Sequence, residues 1–215
     1  MIRILLVDDH DSFRRPLAFM LNREPDLEVV GHVGTVADAR PHFGAIDVAL
    51  VDLDFPDADG TDLIRELWAT RPAVAVLVVT GSDSRKDEAV AVEAGAAGVL
   101  HKSVSIPRII EAIRRLHAGD EIMGPEQRAT LLQVAGRFRE GARAAERIRA
   151  GLTPRELTVL RALVEGLDDE EIARRLGLRP RAVRRHVGSI CAKFGVDARL
   201  QAVVFAVRRG LVPLD

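Results

Sequence analysis

The amino-acid sequence predicts an α/β doubly wound five-stranded parallel sheet followed by a small all-α helix-turn-helix domain. Three observations predict it. Five apolar, strand-like runs alternate with helical patterns across residues 1–118, the element order that builds a layered α/β structure. Several of those runs are apolar throughout instead of alternating, as strands are when helices cover both faces of a parallel sheet. Beyond residue 150 the strand-like runs stop, and helical patterns follow one another across very tight connections, the signature of helix-turn-helix.

The strand runs are IRILLV (2–7), LEVVGHV (27–33), IDVALV (46–51), AVAVLVV (73–79) and AAGVL (96–100). Helical patterns lie between and after them near 12–23, 35–43, 60–69, 84–94 and 105–118. In the last, Ser105 stands at the N-cap, and Ile106, Ile109, Ile110 and Ile113 keep helical spacing. Residues 119–147 are rich in Ala, Arg and Glu, with helical propensity interrupted by Gly136 and Gly141, and read as a partly helical linker. The tail, 148–215, begins with Thr153, Pro154 and Glu156, which supply a cap, a proline at the first helical position and the third-position carboxylate of a capping box. Asp168 and Glu171 repeat the cap spacing before IARRLG, where Gly177 is placed to end a short helix. PRAVRRHVGSICAKF follows at once as a third helix.

At 215 residues the chain is long enough for one large domain or two small ones. No apolar run approaches the length of a transmembrane helix, and MIRILLVDDH lacks the features of a signal peptide. The lone cysteine, Cys191, excludes an internal disulfide and reads as a core thiol; these features together point to the cytoplasm. The formal net charge of −1 conceals an asymmetry. Residues 1–120 carry 13 Lys/Arg against 20 Asp/Glu, whereas residues 151–215 carry 12 against 8. An acidic front and a basic tail imply different partners for the two parts.

Ligands of open parallel sheets bind outside the carboxyl ends of the strands. Asp8 and Asp9 follow the first strand, Asp52 and Asp54 the third, Thr80 the fourth and Lys102 the fifth. Carboxylates gathered in one cleft repel one another and raise one another's pKa. A hard divalent cation relieves this, and Mg2+ prefers carboxylate, carbonyl and water oxygens together with phosphate. Asp52, not fully used as a ligand, then has the chemistry to attack a phosphoryl group and form an acyl phosphate. Asp57 and Asp59 precede Gly60 and serve the turn and the start of the third helix. In the tail's third helix, Val183, Val187, Ile190 and Phe194 form an apolar stripe at 100° per residue, with Arg181, Arg184, Arg185, Gly188 and Ala192 opposite. Arginines among small residues suit entry into a major groove, where they bind guanine edges or phosphates.

Residues 1–118 resemble the receiver domain of two-component response regulators, a flavodoxin-like fold. LLVDDH, LVDLDFPDADG, VVTG and GAAGVLHK carry the resemblance, in order and at the usual separations. It implies that Asp52 is the phosphoacceptor, fed by a cognate histidine kinase or a small phosphodonor. It implies Mg2+ bound by Asp9, Asp52 and the backbone carbonyl of Asp54, with Asp8 acting through water, and Thr80 and Lys102 on the phosphoryl oxygens. Val99 stands where the family usually carries a switch aromatic, and Phe55 where methionine is common. Residues 148–213 resemble the LuxR-type DNA-binding domain, through LTPRELTVLRALVEGLDDEEIARRLGL and AVRRHVGSICAKFGV. The pair of domains is of the NarL/FixJ type. The resemblance implies double-stranded DNA as partner, Arg184 and Arg185 at base-reading positions, and His186 at a usual recognition-helix position. Arg181, Gly188 and Lys193 complete the expected DNA face. It also implies a homodimer when active, through the final helix with Val203, Val204 and Val207. Arg179 replaces the usual Ser or Thr cap, Ala182 a hydroxyl and Gly188 a longer polar side chain.

Two other readings compete. VDLD after an apolar strand is similar to the DxD nucleophile of haloacid-dehalogenase-type phosphatases, but that motif belongs at the first strand and here follows the third. The other is a phosphorylation-independent DNA-binding regulator with a weakly switching receiver, against which all the acidic, hydroxyl and lysine positions are present. The remaining histidines, His10, His32, His42, His101 and His117, lack zinc-ligand spacing and read as surface or loop residues.

Overall fold

The computed structural model describes residues 1–56 and 58–212, so Asp57 and the last three residues of the tail lie outside it. The chain divides into two compact units, Met1–Gly136 and Arg137–Asp215.

In the first unit, β1 (Ile2–Val7), β2 (Leu27–Val33), β3 (Val48–Val51), β4 (Ala75–Thr80) and β5 (Gly98–His101) form one sheet in the order β2-β1-β3-β4-β5. Every pairing is parallel. Helices α1 (Asp11–Leu21), α2 (Val36–Ala39), α3 (Gly60–Thr70), α4 (Arg85–Ala94) and α5 (Ile106–His117) connect and follow the strands. The continuous apolar runs find their reason in two separate cores. Leu5 and Val7 of β1 join one cluster with α3, while Ile4 and Leu6 join another with α1 and α5. Strand order reverses between β1 and β3, so a crevice opens at the carboxyl ends of these neighbours.

Two local expectations change. The second helical pattern yields only four α-helical residues and then a 3-10 turn over Arg40–Ala45, because Pro41 has no N–H to continue an α-helical ladder. Ser105 occupies the N-cap of α5, but its side chain makes no capping hydrogen bond; only its carbonyl accepts from Arg108 and Ile109.

Residues Pro125–Ala150 form a single helix, α6, through both Gly136 and Gly141, where the sequence suggests interruptions. Each glycine weakens a helix by about 1 kcal/mol relative to alanine, but packing near the two ends offsets this. Leu131 and Ala135 are buried with Met123 and with Ala89 and Val92 of α4. Ala145 and Ile148 pack against the core of the second unit.

That second unit consists of α7 (Pro154–Val164), α8 (Asp169–Leu176), α9 (Pro180–Phe194) and α10 (Arg199–Arg208). Both capping boxes are formed, at Thr153/Glu156 and Asp168/Glu171. Gly177 ends α8 at φ 62°, a conformation that glycine adopts without Cβ strain. Val183, Ile190, Cys191 and Phe194 of α9 enter the core, and Phe194 stacks on Phe205 of α10 with ring centroids 4.7 Å apart.

Glu156 does more than cap. Its buried carboxylate accepts from the Thr153 N–H at 2.7 Å, from Ser189 Oγ at 2.6 Å and from Lys193 Nζ at 2.6 Å, which ties the start of α7 to α9. Burial pushes this carboxyl up, but the bonds from Lys193, Ser189 and Thr153 outweigh it and hold the pKa at about 2. A depressed carboxyl stabilises the fold above its unfolded pKa, and the contribution fades as pH falls from about 4.5 toward 2. The shift corresponds to stabilisation on the order of 3 kcal/mol. Urea unfolding of the second unit, followed from pH 7 to pH 2, is therefore expected to lose stability in that window. Glu156→Gln should lower the neutral-pH midpoint and flatten the acid loss; an unchanged pH profile would refute the linkage.

Candidate functional site

Three of the candidate carboxylates gather where the strand order reverses. Asp8 follows β1 and Asp52 follows β3, both buried. Lys102, just past β5, places Nζ 2.7 Å from Asp8 Oδ2 and 2.7 Å from Asp52 Oδ2. Burial opposes the ammonium, yet its bonds to Asp52 and Asp8 outweigh that and hold it above its ordinary pKa. The same Nζ lies 5.1 Å from the centre of the Phe13 ring. Asp52 Oδ1 accepts from the Leu53 N–H at 2.7 Å, which fixes the carboxylate and leaves Oδ2 toward Lys102. Thr80 ends β4 buried, and its backbone carbonyl accepts from the Lys102 N–H at 2.7 Å.

The loop after β3 turns back tightly on the strand end. A Cβ on Gly60 would lie 2.2 Å from the Asp52 carbonyl oxygen, so only glycine allows α3 to start there. Asp59 caps α3 by accepting from the Thr61 N–H, as the sequence suggests, while Asp57 lies outside the described residues. The Asp54 side chain is exposed. Partial desolvation, with the nearby charges of Asp52 and Asp87, raises its pKa.

The sequence reading missed two residues. His10 is expected at the surface, and its side chain is 57% exposed, but its Nδ1 is 2.6 Å from Asp9 Oδ1 and 3.4 Å from Asp8 Oδ1. Asp8, Asp9, His10 and Asp52 thus offer ligand atoms that all lie within 4.8 Å of one another. Its one sequence signal is that it directly follows the acidic pair. Arg14 of α1 is buried and donates to the Asp8 backbone carbonyl and the Asp11 carboxylate, pinning the loop that carries Asp8 and Asp9. Its spacing with Leu17, Ala18 and Leu21 puts it on the buried face of α1, but a buried arginine is uncommon, so its residue type masks that signal. Three carboxylates, one of which has a buried oxygen, Asp9 Oδ1, without a hydrogen-bond partner, suit a hard divalent cation.

Val99 is half-buried on β5 and packs against both the α3-side core and the cluster formed with α6.

The second candidate surface lies on α9. Arg181, Arg184, Arg185 and Gly188 are exposed, His186 is half-buried, and a Cβ on Gly188 would meet nothing within 4 Å. Arg184 Nε is 3.3 Å from Asp169 Oδ2 of α8, a carboxylate that also pairs with Arg199. Lys193 differs from its neighbours. Assigned to the DNA face from sequence, it is engaged by Glu156 beneath α9, because its long stem reaches across to α7. On α10, Leu200 and Val204 are exposed, while Val203 and Val207 are half-buried. Among the described residues no helix is long and apolar enough to cross a membrane.

Comparison with known proteins matches both units. Residues 4–114 fit the model of the response regulator receiver domain, and residues 150–206 that of the bacterial regulatory proteins of the luxR family. The DNA-binding transcriptional activator DevR/DosR of Mycobacterium tuberculosis is 35% identical, across 100% of this chain and 99% of that protein. The response regulator protein VraR of Staphylococcus aureus is 30% identical, across 98% and 99% respectively. Among solved structures, the response regulator ChrA of a heme-sensing two-component system is 29% identical with a TM-score of 0.51, covering 98% of each chain. A LuxR-family response regulator from Aurantimonas sp. SI85-9A1 is 28% identical with a TM-score of 0.53, over 64% of this chain and 96% of the other. With one model on the acidic α/β unit, another on the basic helical unit and relatives that span both, the chain belongs to the response regulators that join a receiver domain to a LuxR-type DNA-binding domain.

Proposed function

We propose that this response regulator accepts a phosphoryl group on Asp52, with Mg2+ bound, and in that state regulates transcription as a homodimer through sequence-specific contacts of α9 with double-stranded DNA. The observation that carries the reading is the buried Asp52 carboxylate, fixed by the Leu53 N–H, with the Lys102 ammonium on its other oxygen and Asp8 beside it. Asp9, Asp52 and the Asp54 carbonyl are the residues to hold Mg2+, with Asp8 acting through water, and the cation would supply charge neutralisation for incoming phosphoryl oxygens. In the transfer an Asp52 oxygen forms a bond to phosphorus, while the bond from phosphorus to the donor breaks and the donor leaves with that electron pair. The donor is a phosphohistidine of a cognate histidine kinase, or a small phosphodonor; self-dephosphorylation reverses the state by water attack. Lys102 and Thr80 then bind phosphoryl oxygens. These events belong to the cytoplasm.

Acetyl phosphate with Mg2+ should add one phosphate to the full chain by intact mass. The adduct should be absent in Asp52→Ala and in chelator. An adduct that persists in the variant would move the phosphoacceptor elsewhere, and steady turnover of phosphate esters would instead favour the phosphatase reading.

On α9, an arginine that reads a base is worth about 1–3 kcal/mol of discrimination. Arg184→Ala should cost that much and relax preference at one base-pair position, measured at fixed salt because salt alone shifts affinity. A uniform loss across DNA sequences would make Arg184 a phosphate contact.

Val99 has no ring to swing between buried and exposed positions and is stiff about χ1. Packed between two apolar clusters, it leaves little surface to exchange between states. A ligand shifts an equilibrium only by its differential affinity for the two states. Beryllofluoride with Mg2+ should therefore raise DNA affinity by less than about a hundredfold, near the upper end of ordinary coupling. A larger gain would show that the output runs without movement at residue 99.

A further inference from the structure

Reading the Asp8–Asp9–Asp52 cluster as a cation site leaves His10 without a role. We propose that the His10 imidazole is a direct ligand of that cation, and that it turns the site's preference from Mg2+ toward first-row transition-metal ions. The inference rests on the cation reading above but concerns a donor that the reading does not use.

Three observations carry it. First, the ligand atoms of Asp8, Asp9, His10 and Asp52 lie within 4.8 Å of one another. Metal–ligand bonds near 2.1 Å in an octahedron put adjacent donors about 3 Å apart and opposite ones just over 4 Å, so the widest pair has to draw in by at most about half an ångström for all four atoms to close on one ion. Second, Asp9 Oδ1 is buried without a hydrogen-bond partner although His10 Nδ1 is 2.6 Å away. The contact meets ion-pair distance but not hydrogen-bond geometry, so neither atom's bonding capacity is taken up by the other. Third, the backbone that carries the ring is held in place. The His10 N–H donates to Asp8 Oδ1 at 2.8 Å, and the His10 carbonyl accepts from Phe13 and Arg14 at the start of α1. The exposed side of the ring leaves a path for an ion to enter.

The chemistry gives the direction. Mg2+ favours carboxylate, carbonyl and water oxygens and gains little from imidazole. Transition ions bind imidazole well, with affinity rising along the series from Mn2+ through Co2+ to Ni2+. Lys102 Nζ, 3.5 Å from His10 Nδ1, shares the cluster and competes with any ion there. That competition acts on every cation alike, so it does not by itself discriminate between them.

The test uses the full chain loaded with Mn2+, whose pulsed electron-spin-echo spectrum reports a directly bound 14N nucleus. The wild-type protein should show imidazole 14N modulation, and His10→Ala should lose it while still binding Mn2+. By calorimetry, His10→Ala should weaken Co2+ binding about tenfold or more, comparable to the loss of a supporting metal partner, with Mg2+ affinity changed less than about threefold. Wild-type protein that binds Mn2+ without 14N modulation overturns the proposal and leaves the cation reading standing. Equal losses of Co2+ and Mg2+ in the variant also overturn it, since His10 would then only shape the loop. Wild-type protein that binds neither Mg2+ nor Mn2+ defeats the cation reading and this proposal together.

Discussion

The ammonium of Lys102, held between the carboxylates of Asp8 and Asp52, is the interaction on which the functional end of the first unit is built. Parallel topology makes β1 and β3 neighbours, which forces two acidic residues at their carboxyl ends into the same crevice. Two like charges there are tolerable only beside a compensating cation. Lys102 starts two strands away from Asp52, a lateral distance of about 10 Å at ordinary strand spacing. A long, flexible stem with a compact charge spans that gap, and β4 supports it, since Thr80 accepts from the Lys102 N–H.

The second unit repeats this logic with the signs reversed. There, one buried carboxylate, Glu156, gathers a lysine, a serine and a threonine from the ends of two helices. It fixes α9 against α7 so that the arginines of α9 remain on the opposite, exposed side. In each unit a charged pair inside the fold decides which charged groups are left at its surface.

Much of this was readable in the sequence because the physical signals were local. The strand runs are apolar on both faces because the sheet has a core on each side, and β1 shows it residue by residue, with Leu5 and Val7 in one core and Ile4 and Leu6 in the other. The positions of Asp8, Asp52 and Lys102 followed from strand ends alone. What stayed hidden depended on reach or on loop path. His10 has no helical partner at ligand spacing; the turn before α1 brings it to the carboxylates. Lys193 falls on the border between the two faces of a helical wheel, and a wheel cannot show that its stem reaches Glu156, 37 residues earlier. The glycines of α6 signal a broken helix, while the contacts that hold its two ends are invisible to propensity.

Val99 belongs to two cores at once, one under the sheet and one closed by Leu131 and Ala135 of α6. Close-packed interiors have no spare volume. The space available at position 99 and the bulk carried on the inner side of α6 are therefore one shared quantity. A chain of this architecture that carried a ring at position 99 would have to give up side-chain volume on α6, or let that helix leave the sheet. Through that exchange of volume, the residue on the edge strand of the sheet and the helix leading out of the unit are mechanically coupled.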